Sequence, residues 1–370
     1  MPTPAVTGSR PGRRRPPRHP ARAGAVLAVV AALVLAACGG PSHHAGASGP
    51  SGSATTSTQP ASSSAPAVTA ATLALGEEGN PHNWNPLAAT AAGDPVLQTV
   101  AAAVLPSAFV VGPGLHPTRN AALVTAATEV SSSPQVVDYR INPEATWSDG
   151  TPVTAADFVY TWEADSGQRR FRDAGGHPFT PASTAGYDRV ASVAQGAAGP
   201  GSVVVRFATP DPDWRALFSP LLPAHVGRRV GFDTGFTNPV TDLVSAGPFV
   251  VQSWRPGVDV VLARNPAWWG QGSALSTVTV DEVPNAGIGG VSLQQGQLDA
   301  AQLPFTPGGA KTLRATPGLS VWTSGSGVYD DLVPNERSGL FASVTVRRAV
   351  MLAVDRSALA QLAGTEGDVG

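Results

Sequence analysis

VVDYRINPEATWSDGTPVTAADFVYTW, residues 136–162, reads as a strand, a turn and a capped helix in that order. Val137, Tyr139 and Ile141 alternate with Asp138 and Arg140, which predicts a half-buried strand over Val136–Ile141. Asn142-Pro143 ends it, and Ser148-Asp149-Gly150 is a turn signal. Thr154 and Asp157 have the spacing of a capping box, in which each side chain bonds the other residue's backbone N–H. Phe158, Val159 and Trp162 then give the helix its apolar stripe.

Outward from this stretch, strands and helices alternate without a simple repeat. Strands are expected at Thr72–Gly76, Val203–Phe207, Val278–Val283 and Leu298–Ala301. Pro248–Trp254 and Val258–Arg264 form a hairpin closed by Arg255-Pro256-Gly257. A weak helix is expected over Ile288–Gln297. Val346, Ala349, Val350, Ala353 and Val354 keep helical spacing, and Asp355 caps a second short helix through Leu362. This mixture predicts an α/β protein with more than one lobe.

The 370 residues allow two or three domains, and 42% hydrophobic residues suffice for a core. Charged residues are only 14%, against the roughly 25% usual for soluble domains. One cysteine excludes a disulfide framework and Cys-based metal centres within the chain. Six arginines and no acid fall in residues 1–38; the remainder holds 18 basic against 26 acidic residues, a formal −8. Such a chain repels phosphate backbones, which sets nucleic-acid binding aside.

The arginine-rich start precedes Ala23–Ala37, fifteen apolar or small residues. As a helix they span about 22 Å, short of a ~30 Å hydrocarbon core, so residues 1–37 read as a signal peptide. Leu35-Ala36-Ala37-Cys38 resembles the bacterial lipobox, which makes Cys38 the lipid-attachment site. The alternative is an ordinary signal peptide with a chance cysteine. Arg13-Arg14-Arg15 is followed by Pro16 and Pro17, which argues against twin-arginine export. Residues 38–71 are the acylated cysteine and a Ser/Thr/Pro/Gly tether, uncharged and too polar to bury a core.

Catalytic motifs are absent. There is no G-x-S-x-G, no phosphate-binding loop, no full G-x-G-x-x-G and no H-E-x-x-H, and no cofactor is expected. His82, His116, His177 and His225 are widely spaced and read as scattered surface residues. Asp330-Asp331 reads as a solvated pair. Of the eight tryptophans, Trp147, Trp162, Trp254, Trp268 and Trp269 sit at strand ends or on a helix stripe and read as core. Trp84 and Trp322 lie among loop residues and divide evenly between core and cleft lining.

The segment Tyr139–Trp162 resembles the signature of family 5 extracellular solute-binding proteins, the oligopeptide- and dipeptide-binding subunits of ABC importers. Further stretches match in the family's order: Leu221–Val226, Ala246-Gly247-Pro248-Phe249 running into Trp254, Arg264–Gly270, Leu293–Asp299, and Val346-Arg347-Arg348-Ala349 to Val354-Asp355-Arg356. The resemblance implies an α/β periplasmic-binding-protein-like fold of two large lobes with an extra small one. Lobe I would comprise 72–103 and 223–320, and lobe II 104–222. Lobe III would begin at 321 and be incomplete, since the chain stops at Gly370. The implied function is a membrane-anchored, extracytoplasmic, non-enzymatic binding subunit. It would capture peptides or a similar small solute by lobe closure and deliver it to permease subunits in the membrane. The rival is a repurposed binding-protein fold acting as a regulator or scaffold in cell-envelope synthesis. By the same resemblance the loop at Gly93-Asp94 and the strand Trp322–Asp331, with Tyr329, would line the cleft together with Trp84. Asp94 or Asp331 would pair with an amino group, or be a solvated loop acid.

Overall fold

A computed structural model describes residues 71–112, 116–173, 175–304, 307–322, 334–337 and 339–363. The signal-peptide and tether expectations, with Cys38, lie outside the described residues.

The elements follow in order: β1 (Ala71–Glu77), α1 (Pro95–Val104), β2 (Phe109–Val111), β3 (Pro117–Arg119), β4 (Val124–Ser132), β5 (Gln135–Ile141), α2 (Ala155–Asp165), β6 (Val190–Gln195), β7 (Ser202–Phe207) and α3 (Ala224–Val230). Then come α4 (Pro239–Asp242), β8 (Phe249–Arg255), β9 (Asp259–Arg264), β10 (Leu275–Glu282), α5 (Ala286–Gln294), β11 (Ala300–Gln302), α6 (Pro307–Arg314), α7 (Val344–Ala353) and α8 (Arg356–Ala363).

Two sheets dominate. The first has the order β11-β1-β10-β9-β8, with β1 parallel to both β10 and β11 and the remaining pairs antiparallel. The second is antiparallel, β4-β5-β7-β6, and its strands all fall between 124 and 207. The chain therefore leaves the first sheet after one strand, builds the second, and returns.

The quoted stretch forms as its pattern dictates. Val137, Tyr139 and Ile141 are buried along β5 while Asp138 and Arg140 are not. Thr154 and Asp157 form the capping box of α2. Asp157 also does something spacing does not reveal: its Oδ2 accepts from Thr154 N (2.8 Å) and its Oδ1 from Ala224 N (2.8 Å). One buried carboxylate thereby anchors the starts of both α2 and α3. Burial raises its pKa, and these backbone N–H groups hold the rise back. On the same helix, Phe158 joins an aromatic cluster with Tyr139 (5.6 Å) and Phe218 (4.8 Å), and Trp214 closes onto Tyr139 at 6.1 Å. Offset and edge-on contacts of this kind stabilise beyond the area they bury.

The sheets share one continuous core. Gly247, in the Ala246–Phe249 stretch, marks their seam: a methyl there would sit 2.5 Å from the Ala103 carbonyl oxygen, so only glycine lets the chain entering β8 pass the end of α1. Trp269 Nε1 donates to Ala122 O (2.7 Å) from the other side. Trp147 and Trp162 are buried as expected, whereas Trp254, Trp268 and Trp269 are half-buried.

Candidate functional site

Open α/β sheets bind ligands outside the carboxyl ends of their parallel strands. Here those ends belong to β10, β1 and β11, and each is polar. Glu77 stands in register with Glu282 on one side and Gln302 on the other. Leu73, Leu75 and Glu77 share a face, so the apolar period that fixes β1 also turns Glu77 inward toward α1. Glu77 is fully buried, and its Oε1 accepts from Thr99 Oγ1 at 2.7 Å. Among the described residues its Oε2 has no hydrogen-bond partner; neither has either carboxylate oxygen of Glu282, nor Gln302 Oε1.

The electrostatics follow from that burial. Desolvation pushes the Glu77 carboxyl up to about 8; the Thr99 hydroxyl opposes the rise and the Asp94 charge adds to it. Glu282 is also raised, by burial first and then by Asp94. The Trp254 indole and the Gly257 N–H face Glu282 and moderate the shift without closing a hydrogen bond. Among the described residues no group of three His, Cys, Asp or Glu side chains could hold a metal ion.

The loop after β1 carries two of the residues expected at the cleft. Gly93 has φ 86°, which only glycine adopts without strain. Asp94 is the N-cap of α1: Oδ1 accepts from Leu97 N (3.0 Å) and Oδ2 from Asn80 N (2.9 Å). Both its oxygens are thus engaged with this chain's backbone.

Trp84, in the same loop, corrects an expectation. It is fully buried, its ring is edge-on to Trp254 at 5.4 Å, and its backbone N–H donates to Phe236 O at 2.7 Å. Its polar neighbours explain the inversion. Asn83 Nδ2 donates to Thr90 Oγ1 (2.8 Å) and Asp233 O (2.7 Å), and Asn85 Nδ2 to Phe232 O (2.8 Å). The asparagines that suggest a solvated loop are instead the bonds that pin it, and Trp84 is core. Trp322 is 85% exposed. Tyr329 and Asp331 lie outside the described residues. The structure therefore brings Gly93 and Asp94 to the β1 edge.

Glu77, Glu282 and Gln302 were not singled out from the sequence. A signal existed: the apolar runs Leu73–Leu75 and Val278–Val280 each end in adjacent acids, Glu77-Glu78 and Asp281-Glu282. Only the parallel register makes these ends neighbours.

A partly parallel sheet interrupted by a second, inserted sheet is the architecture of a two-lobed binding protein. Residues 119–369 match the model for bacterial extracellular solute-binding proteins, family 5 (middle region), and the chain belongs to that family. It is 34% identical over 268 residues to the oligopeptide-binding protein OppA of Mycobacterium tuberculosis, covering 70% of this chain and 43% of that protein. It is 30% identical over 315 residues to that organism's probable monoacyl phosphatidylinositol tetramannoside-binding protein LpqW, covering 80% of this chain and 45% of that one. Among solved structures, the periplasmic EDTA-binding protein EppA superposes with a TM-score of 0.61 at 27% identity, over 79% of this chain and 55% of that one. The oligopeptide-binding protein AppA of Bacillus subtilis, in complex with a nonapeptide, gives 0.61 at 22% identity, over 81% and 57%. The chain spans about half the length of the curated relatives it matches.

Proposed function

We propose that this chain is the solute-binding part of an ABC importer, acting outside the cytoplasm and held to the membrane through acylated Cys38. Family membership over 119–369 is the observation that carries the reading. The two sheets give it a physical form. Lobe I, built from 72–103 and 223–320, contributes the carboxyl edge of β10-β1-β11, and lobe II, 104–222, is the inserted sheet; lobe III begins at 321. A solute that touches both faces of the crevice favours the closed arrangement by its additional contacts. The shut form is then presented to a permease, and no bond is made or broken on this chain. Peptides are the cargo favoured by the OppA relationship. The LpqW relationship supports a second reading, a role at the envelope with an acylated glycolipid rather than an imported solute.

Native mass spectrometry of the full-length lipoprotein distinguishes the two. Co-purified masses in the peptide range are expected, released on mild activation. Acyl-mannoside masses would favour the envelope role, and a protein that emerges bare after purification from peptide-rich medium counts against capture. A second expectation concerns the anchor. Labelled palmitate enters the wild-type protein, while Cys38→Ala takes up none and leaves the membrane fraction. Equal labelling of the two would refute lipidation at Cys38.

A further inference from the structure

The geometry points to a cation-recognition row at the carboxyl edge of β10-β1-β11, in which Glu282, Glu77 and Gln302 receive the guanidinium or ammonium group of the captured solute. The inference rests on the solute-capture reading and narrows it to positively charged cargo.

The argument is one of unmet acceptors. Four buried oxygens on three neighbouring strands, Glu77 Oε2, Glu282 Oε1, Glu282 Oε2 and Gln302 Oε1, have no donor among the described residues. A buried polar atom is nearly always bonded, and each exception calls for a physical cause. Turning the Trp254 indole and the Gly257 N–H fully onto Glu282 would satisfy two of the four, one donor for each oxygen. Glu77 Oε2 and Gln302 Oε1 would remain.

Their arrangement says what kind of donor fits. The row is laid out by strand register, so its members are roughly 4.8 Å apart along the sheet. The row holds two carboxyl groups and one amide, and no group of three His, Cys, Asp or Glu side chains among the described residues could hold a metal ion. The row suits a planar group with several N–H donors, or an ammonium held between neighbours. Charge agrees. Burial and the Asp94 charge disfavour the ionised form of both Glu77 and Glu282. A cation reverses that, and its own desolvation is then offset by two paired charges and the Gln302 dipole. Thr99 holds Glu77 in place by its other oxygen. The segment directly after Glu77 is fastened by Asn80 N to Asp94 Oδ2 through an exposed hydrogen bond.

The test is calorimetric titration of the full-length protein with three probes: Ala-Arg-Ala, its neutral isostere Ala-citrulline-Ala, and agmatine. Ala-Arg-Ala is expected to bind at least about 10-fold tighter than the citrulline peptide. Glu77→Gln and Glu282→Gln should each erase that preference while melting cooperatively. Equal affinity for the two peptides overturns the row and leaves peptide capture standing. Agmatine binding that is lost in Glu77→Gln, with neither peptide bound, keeps the row and refutes peptide capture. A preference that survives in both variants, or no binding of any probe, overturns the row and leaves water as its occupant.

Discussion

Glu77→Gln is expected to stabilise the protein by about 3 kcal/mol at pH 7, and by less than about 1 kcal/mol at pH 5. The cause is the raised carboxyl. Folding takes the group from its ordinary value of 4.5 to about 8. A carboxyl raised by folding leaves stability intact below the unfolded value and removes it as pH climbs toward the folded one. Between pH 4.5 and 8 the wild type therefore weakens steadily as the unfolded state releases a proton that the native state keeps. An amide of the same shape retains the Thr99 bond and removes this linkage. Denaturant midpoints of both proteins from pH 5 to 8 check it. Parallel curves would mean that Glu77 is not the group responsible. A residue whose replacement strengthens the fold while abolishing recognition is the pattern expected where function is carried at the expense of stability.

Trp84→Ala is expected to cost about 3–5 kcal/mol, the usual range for deleting a large aromatic side chain from a packed interior. The ring is fully buried and edge-on to Trp254, so the substitution leaves a cavity walled by parts that the chain brings together from distant positions. Trp84→Phe should lose appreciably less, because most of the apolar contact survives. A melting temperature unchanged by the alanine substitution would show that the indole faces the crevice after all.

How much of this was legible beforehand depends on the range of the interaction that decides each feature. The β5–α2 unit could be read because its causes are local: a two-residue alternation, a turn, and a capping box spanning Thr154 to Asp157. The β8–β9 hairpin was likewise announced by its turn. Helix α1 went unread, its N-cap at Asp94 followed by Pro95 being signals that were passed over. So did β4, whose burial pattern lacks a clean alternation because its register shifts twice against β5. The orientation of Trp84 was undecidable locally, since the partners of Asn83 and Asn85 lie near residues 232 and 233. The acceptor row was out of reach for the same reason: Glu77 and Glu282 become neighbours only through pairing between the first strand and one near residue 280.

That pairing has a consequence for biosynthesis. Ala71–Glu77 is made first, yet both strands that flank it, Leu275–Glu282 and Ala300–Gln302, emerge from the ribosome only after the whole second sheet. Contacts of such long sequence separation form slowly, because a large loop must close before any of them is gained. The nascent chain accordingly holds its earliest strand open until translation has passed residue 302, while residues 124–207 already contain every partner their sheet requires. The sheet that carries the polar row is thus the last to complete, with its founding strand waiting unpaired while the inserted layer can already assemble.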